Sequence, residues 1–247
     1  MSPTRAGAAG PDLESRQLQI RVPADGGTVS ALLWRPDPAG SLLVLGHGAG
    51  SGMRHAFLDE LARELADRGI ATLRYRFPYR EAGRRRPDRA PRLEATARAA
   101  IAAAGDLAPD LPLLAGGKSM GGRMTSRAIA GEASPGLRGL VFFGFPLHPA
   151  GRPGVERADH LDNVRLPMLF LQGDRDRLAD LDLLGPVCRR LGDRALLRIV
   201  AGADHGFHVL KRSGRTDAEV LGELADATAG WAARLSPRGR AGTRAEP

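Results

Sequence analysis

Short apolar runs alternate with helix-like segments along most of this chain. Eight of the runs have the length and composition of β-strands, and they lie at residues 17–22, 28–35, 41–45, 70–75, 112–115, 137–143, 168–171 and 196–200. Strands that alternate with helices form a mostly parallel sheet with helices on both faces. The sequence therefore predicts an α/β protein, a three-layer α/β/α sandwich around a mostly parallel eight-stranded sheet.

The ends of the folded region are marked by changes in composition. Thr216 and Glu219 form a T-x-x-E capping box, which predicts the start of a last helix that runs to Leu235 and packs its apolar face on the sheet. Residues 1–14 and 236–247 are rich in Pro, Gly, Arg and Ala, so we expect disordered tails there. One domain is predicted over residues 15–235.

The formal net charge of +8 first suggests a partner such as nucleic acid. However, only Lys118 and Lys211 among the 36 basic residues are lysines, and such a skew is typical of genomic base composition. The charge is also concentrated between Arg74 and Arg92 and in the last thirteen residues, whereas nucleic-acid binding usually shows basic residues along a whole face with interleaved aromatic side chains. The pattern argues against nucleic-acid binding and leaves a small-molecule substrate as the expected partner.

Cysteine usage and hydropathy indicate the compartment. Cys188 is the single cysteine, so no internal disulfide can form, and no run approaches the length of a membrane span or a signal peptide. We expect a cytoplasmic protein without a membrane segment, of undetermined oligomeric state. No His/Cys cluster has zinc-ligand spacing, so we expect neither a metal nor an organic cofactor.

The stretch LLAGGKSMGGRM admits two interpretations, a phosphate-binding P-loop or a nucleophile elbow. The P-loop needs a glycine where this chain has Pro112, so that pattern fails. The earlier GHGAGSG also fails as a dinucleotide fingerprint, because Ser51 or Met53 stands where its third glycine belongs. By contrast, G-x-S-x-G between a strand and a helix exposes Ser119 on a strained turn, and Gly117 and Gly121 let the backbones approach.

A nucleophilic serine needs an acid and a base, in the chain order Ser, Asp, His. Asp174 and Asp176 follow the strand at 168–171, and His205 and His208 follow the strand at 196–200. We choose Asp176, because Asp174 directly follows a glycine and is suited to shaping the turn, and His205, because it lies at the loop tip. Asp174 stays open as the alternative acid.

The same reading predicts an oxyanion hole, made of the backbone N–H groups of Met120 and of Ala49, with Gly50 as the neighbouring alternative. His47 is expected to shape the loop after the third strand. The side chain of Lys118 is expected to point away from the site, as neighbours at a sharp turn do.

Over residues 17–235 the chain resembles the α/β-hydrolase superfamily, through HGAG, GKSMGG, GDRD and DHGFH in family order. Its compact form is similar to the dienelactone-hydrolase-like branch, whose nucleophile is usually cysteine where this chain has Ser119. FPYREAGRRRPDRAP and GGKSMGGRM resemble more closely the hydrolase-like domain of a subunit of the non-specific lethal chromatin complex and its small bacterial and testis-expressed relatives. The resemblance implies the α/β-hydrolase fold and an acyl-enzyme mechanism with Ser119, His205 and Asp176.

The predicted function is therefore a serine hydrolase that cleaves a small ester, thioester or amide. The alternative is a catalytically silent interaction domain, because some members of that group serve as such. About twenty residues separate the strands at 137–143 and 168–171, too few for a large lid, so an open site is expected. The arginine-rich loop Arg80–Arg92 raises the hypothesis of an anionic substrate. The alternative is a solvated loop that Glu81 and Asp88 partly neutralise.

Overall fold

Eight strands form a single sheet in this computed structural model, which describes residues 15–23, 27–132 and 134–235. The strands are β1 (Arg16–Val22), β2 (Gly27–Trp34), β3 (Ser41–Gly46), β4 (Ile70–Tyr75), β5 (Leu113–Lys118), β6 (Leu137–Phe143), β7 (Met168–Gly173) and β8 (Ala195–Val200). The helices are α1 (Ala56–Ala66), α2 (Pro78–Glu81), α3 (Ala90–Leu107), α4 (Met120–Ile129), α5 (Leu181–Leu191) and α6 (Asp217–Leu235). The predicted tails lie outside the described residues.

The strand order in the sheet is β1-β2-β4-β3-β5-β6-β7-β8. The hairpin β1–β2 and the pair β2–β4 are antiparallel, and every later pair is parallel. The predicted eight-stranded, mostly parallel sheet is therefore confirmed. The central strands are buried along their length, as expected for a sheet covered on both faces.

Two hydrophobic cores, one on each face, make the three layers. One face packs on α1 and α6, where Leu61, Leu224 and Trp231 are buried. The other face packs on α3, α4 and α5, where Ile101 and Leu184 are buried. The capping box is confirmed, since the N–H of Glu219 donates to Thr216 Oγ1 at 3.2 Å and the N–H of Thr216 donates to the Glu219 carboxylate at 2.7 Å.

Two connections decide how open the carboxyl edge of the sheet is. The one between β6 and β7 contains a single 3₁₀ segment, Glu156–Asn163, and no larger insertion. The arginine-rich segment was predicted as a loop, but the structure has the short helix α2 at its start. Pro78 favours a helix start, because its ring fixes a helical φ and because the first residue of a helix needs no N–H donor. The carboxyl ends of β3, β5, β7 and β8 thus meet at one edge, and no lid covers them in the part of the chain that the structure describes.

Candidate active site

Ser119 lies on the tight turn that joins β5 to α4, at the carboxyl edge of the sheet. Its backbone has φ of 52° and ψ of −117°, a conformation that L-residues rarely adopt. Among the described residues, Phe207 is the other non-glycine residue with positive φ. Strain of this kind is kept where the surrounding structure fixes it, and here it projects the serine side chain above the sheet.

Close backbone packing explains the glycines around this serine. A Cβ atom on Gly121 would lie 2.1 Å from the carbonyl oxygen of Gly46, and one on Gly117 would lie 2.2 Å from the same atom. Neither contact is tolerable, so only glycine lets the turn press against the end of β3. The sequence pattern indicates that glycine is needed at positions 117 and 121. The structure adds that the backbone they pack against is that of Gly46.

The structure brings the predicted serine, histidine and aspartate together. His205 Nε2 lies 2.9 Å from Ser119 Oγ, and His205 Nδ1 lies 2.7 Å from Asp176 Oδ2. A carboxylate only accepts hydrogen bonds, so the ring proton belongs on Nδ1 and the neutral ring accepts the serine proton at Nε2. The side chains thus form a continuous chain from a buried carboxylate to a hydroxyl at the cleft.

The two candidate aspartates have different surroundings. Asp176 is buried, and besides His205 it accepts hydrogen bonds from the side-chain amide of Gln172 and from the N–H of Leu178. Asp174 instead accepts from the N–H of Gly202 at 2.8 Å, which ties the loop after β7 to the loop after β8. The geometry therefore favours Asp176 as the partner of the imidazole and gives Asp174 a structural position.

The second histidine of this loop points elsewhere. His208 Nδ1 lies 2.5 Å from Asp217 Oδ2 at the start of α6, and both side chains are largely exposed. That hydrogen bond, with the charge of Asp217, raises the pKa of His208. His208 therefore joins the loop to the last helix, and it is His205 that contacts Ser119.

A second serine–histidine pair lies away from this edge and differs in two respects. Ser126 Oγ is 2.8 Å from His160 Nε2, but Ser126 is fully buried inside α4 and its hydroxyl donates to the carbonyl of Arg123. Burial lowers the pKa of His160 to about 4. In the part of the chain that the structure describes, no carboxylate accepts from the other ring nitrogen, so this pair lacks the third member.

The candidate oxyanion donors surround Ser119 from two elements. Met120 is the first residue of α4, so its N–H has no partner within the helix. Ala49 and Gly50 lie in the exposed loop after β3, and they line the same cleft as Ser119 and His205. The phenol of Tyr79 donates to the carbonyl of Ala49 at 2.7 Å, which holds this loop against α2.

His47 fixes the start of that loop from below. The N–H of Phe77 donates to His47 Nε2 at 3.2 Å, so Nδ1 carries the proton and donates to the carbonyl of Gly48 at 2.8 Å. The side chain is fully buried, and burial lowers the pKa of His47 to about 4, with smaller contributions from the charges of Arg80 and Arg76. The geometry agrees with the expected loop-shaping position.

The expectation for Lys118 is wrong. Its ammonium points into the site, where it donates a hydrogen bond to the backbone carbonyl of His205 and lies 5.3 Å from the ring centroid of Phe207 and 5.8 Å from that of Phe57. Desolvation lowers the pKa of Lys118 to about 8, although the charge of Asp176 opposes the shift. The direction of the Lys118 side chain depends on contacts with the loop that carries His205, and local sequence around Lys118 gives no information on that loop.

The cleft in front of Ser119 is open and mainly apolar. It has a volume of about 810 Å³, and Phe57, Leu58 and Leu221 line it together with Phe207. Phe57 and Phe207 stack with their centroids 5.6 Å apart. Such a cleft suits the acyl or alcohol part of a small molecule.

Neither a metal centre nor a membrane span is found in the described ranges. Within residues 15–23, 27–132 and 134–235, no three His, Cys, Asp or Glu side chains are grouped as metal ligands would be. None of the helices in these ranges combines the length and the apolar composition needed to cross a bilayer.

Comparisons with known proteins agree with this architecture. A sequence model of the family described as "Alpha/beta hydrolase domain" matches residues 39–233, which is most of the chain. Similar solved structures include a dienelactone hydrolase from Anabaena variabilis, with a TM-score of 0.70 at 19% identity over 90% of this chain and 97% of that chain.

Two further structures carry the same fold. An α/β serine hydrolase without a lid from Xanthomonas campestris gives a TM-score of 0.69 at 22% identity, over 88% of this chain and 95% of that chain. A cold-adapted esterase from an Arctic intertidal metagenomic library gives 0.61 at 22% identity, over 87% and 93% of the two chains. At such identities the likeness establishes the fold.

Proposed function

This chain belongs to the alpha/beta hydrolase family, and we propose that it is a serine hydrolase that cleaves a small ester, thioester or amide through an acyl-enzyme. The observation that carries the proposal is the hydrogen-bonded series from Asp176 through His205 to Ser119, with both distances at or below 2.9 Å. The hydrolases and esterases among the proteins of the same fold support the reaction class.

The first half of the reaction is attack on the carbonyl carbon. His205 Nε2 takes the proton of Ser119 as the hydroxyl oxygen bonds to that carbon, and the imidazole becomes positively charged. Asp176 stabilises this charge and keeps the proton on Nδ1, while Gln172 and the N–H of Leu178 hold the carboxylate in position. His205 then gives its proton to the leaving alcohol, thiol or amine.

The carbonyl oxygen becomes negatively charged in the tetrahedral intermediate and needs donors. We assign the N–H of Met120 and that of Ala49, with Gly50 next in line, because these groups belong to the two backbone segments that face Ser119. Removing one such donor typically costs about 3 kcal/mol of transition-state stabilisation. Water, activated by His205, then releases the acyl group and restores Ser119.

Labelling with a fluorophosphonate tests the proposal, because this probe reacts with an activated serine. Wild type is expected to be labelled, and Ser119→Ala is expected to lose the label. Ser126→Ala is the matched control, since it removes the serine of the other serine–histidine pair and should leave labelling intact.

Two outcomes would contradict the proposal. Label that is retained in Ser119→Ala would assign the nucleophile to another residue. Absence of label on well-folded wild type would favour the catalytically silent interaction domain, the alternative that the resemblance to the chromatin-complex subunit implies. Capture of protein partners would then be the next experiment.

A further inference from the structure

A second, smaller cleft opens beside the one that holds Ser119. Its volume is about 420 Å³, and it shares Gly50, Ser51 and His55 with the larger cleft. A substrate that occupies the larger cleft can therefore extend across the Gly50–Ser51 rim. That rim belongs to the loop that carries the candidate oxyanion donors, so both clefts contact the same substrate-facing segment.

The smaller cleft, here called the arginine cleft, is lined by three arginine residues and by no acidic residue. They are Arg54, Arg76 and Arg80. Arg76 lies 3.5 Å from the carboxylate of Glu81, which also accepts the N–H of Ser30. Among the described residues, no acidic side chain forms an ion pair with Arg54 or Arg80. The cleft therefore keeps an excess of positive charge.

The three arginines are carried by anchored segments. Arg80 lies on α2, next to Tyr79, whose hydroxyl holds the carbonyl of Ala49. Arg54 follows Met53, whose carbonyl accepts a hydrogen bond from the buried guanidinium of Arg74. Arg74 also forms an ion pair with Asp59 in the first turn of α1. These contacts hold the backbone of Arg54 and of Arg80 in place, so less conformational entropy is lost when an anion binds.

Two other arginines of the same sequence segment share one acidic partner. Asp88 forms ion pairs with Arg84 and Arg92. Arg80 is the residue of the range 80–92 that lines the arginine cleft. The hypothesis of an anionic substrate, which the sequence attached to the whole loop, is thereby narrowed to Arg80 together with Arg54 and Arg76, two residues outside that range.

We propose that the arginine cleft binds an anionic group of the substrate, a carboxylate or a phosphate, while the scissile carbonyl lies at Ser119. The substrates would then be esters or related acyl compounds that carry a negative charge one short spacer away from the reacting bond. This inference rests on the proposed function for the reaction, but the anion-binding site itself does not. Planar guanidinium groups recognise both anions through paired N–H donors.

A pair of esters that differ only in charge tests the proposal. The para-nitrophenyl monoester of glutarate carries a carboxylate, and its methyl diester is the neutral counterpart of similar shape. We expect wild type to favour the charged ester by about tenfold in kcat/KM, and added salt to reduce that preference. A second experiment uses a butyrate ester whose phenol carries the carboxylate. Comparison of the two charged esters shows whether the acyl part or the alcohol part of the substrate faces the arginine cleft.

Variants separate the cleft from the general charge of the protein. The double variant Arg54→Gln/Arg80→Gln should lose most of the preference, measured as the ratio of kcat/KM on the charged ester to kcat/KM on the neutral ester. Arg198→Gln is the matched control, because Arg198 is an exposed arginine outside the arginine cleft, on the edge strand β8, which lies four positions from β3 in the sheet. An equal rate on both esters, or a preference that persists in the double variant, would overturn the proposal.

Binding without turnover distinguishes the two proposals. Glutarate and inorganic phosphate are titrated into Ser119→Ala and into the same variant with Arg54→Gln/Arg80→Gln, and affinity should fall with the arginine changes. If wild type turns over none of the esters but Ser119→Ala binds the anions, the proposed function alone is contradicted. Turnover with no anion binding would contradict the arginine cleft alone.

Discussion

The ammonium of Lys118 donates a hydrogen bond to the backbone carbonyl of His205, so the residue before the candidate nucleophile holds the loop of the candidate base. The same ammonium lies close to the carboxylate–imidazole pair. A Cβ atom on Gly144 would be 3.1 Å from Lys118 Nζ, 3.5 Å from His205 Nδ1 and 3.6 Å from Asp176 Oδ2, so all three groups surround one point. Lys118 is thereby a positioning residue whose charge acts on the pair.

The charge of Lys118 should be visible in the pH profile. The pKa of Lys118 is lowered to about 8, so the ammonium loses its proton as the pH rises through that value. A neutral amine donates more weakly and no longer balances Asp176, so kcat/KM should fall on this alkaline side. Lys118→Arg keeps the charge, so its kcat/KM should not fall near pH 8. Lys118→Met has no charge at this position, so its kcat/KM should be lower than that of wild type and should also show no fall near pH 8. Identical profiles for all three proteins would contradict a role of the charge.

The two aspartates should differ sharply when each is changed to asparagine. In Asp176→Asn the amide disfavours the tautomer that accepts the serine proton, and kcat is expected to fall by about 10⁴-fold. In Asp174→Asn the loop contact with Gly202 is weakened, and kcat should stay within about tenfold of wild type because the imidazole keeps its partner. Rates on one ester, measured with both variants and wild type, check this. The reverse order of the two losses would reassign the acid to Asp174.

The close approach of α4 to β3 predicts an intolerant glycine. Gly121→Ala would put a methyl group 2.1 Å from the Gly46 carbonyl oxygen, so the turn must move, and we expect a loss of about 3 kcal/mol or more in the free energy of unfolding. Gly230→Ala is the matched control, since a Cβ there meets open space on the exposed side of α6. That change should stabilise by about 0.5–1 kcal/mol, because alanine favours the helix. Urea unfolding measures both.

The buried His47 makes stability depend on pH. Its pKa is about 4 in the folded protein against the ordinary histidine value of 6.5 in an unfolded chain, so the unfolded chain binds the proton first as the pH falls. The stability that neutral His47 contributes is therefore complete above pH 6.5 and lost towards pH 4, by about 3 kcal/mol in all.

His47→Gln removes this titration. The variant should be less stable than wild type at neutral pH, because the contacts with Gly48 and Phe77 are weakened, and the difference should shrink as the pH falls from 6.5 to about 4. His160 is present in both proteins, so its own titration cancels in the comparison. A difference that stays constant over this range would show that folding does not lower the pKa of His47.

Local sequence signals were sufficient for the parts of the molecule that depend on chain periodicity. The eight strands, the capping box at Thr216 and the strand–turn–helix around Ser119 follow from patterns that span a few residues. The directions of long side chains do not. Lys118 turns towards His205, and Gln172 holds Asp176, because loops far apart in sequence meet at the sheet edge. The short helix α2 was missed although Pro78 is a local signal for a helix start, and the packing of its Tyr79 against His47 from about thirty residues away is not visible in local sequence.

The short connection between β6 and β7 also affects how substrate enters and product leaves the cleft. An enzyme whose site is covered by a mobile segment waits for that segment at each turnover, and often becomes faster at a lipid–water boundary that draws the cover aside. Residues 144–167 contain only the 3₁₀ segment Glu156–Asn163, and the cleft at Ser119 is open to solvent. Substrate entry and product departure then require no opening step, so the rate should rise smoothly with dissolved substrate and show no jump when micelles form.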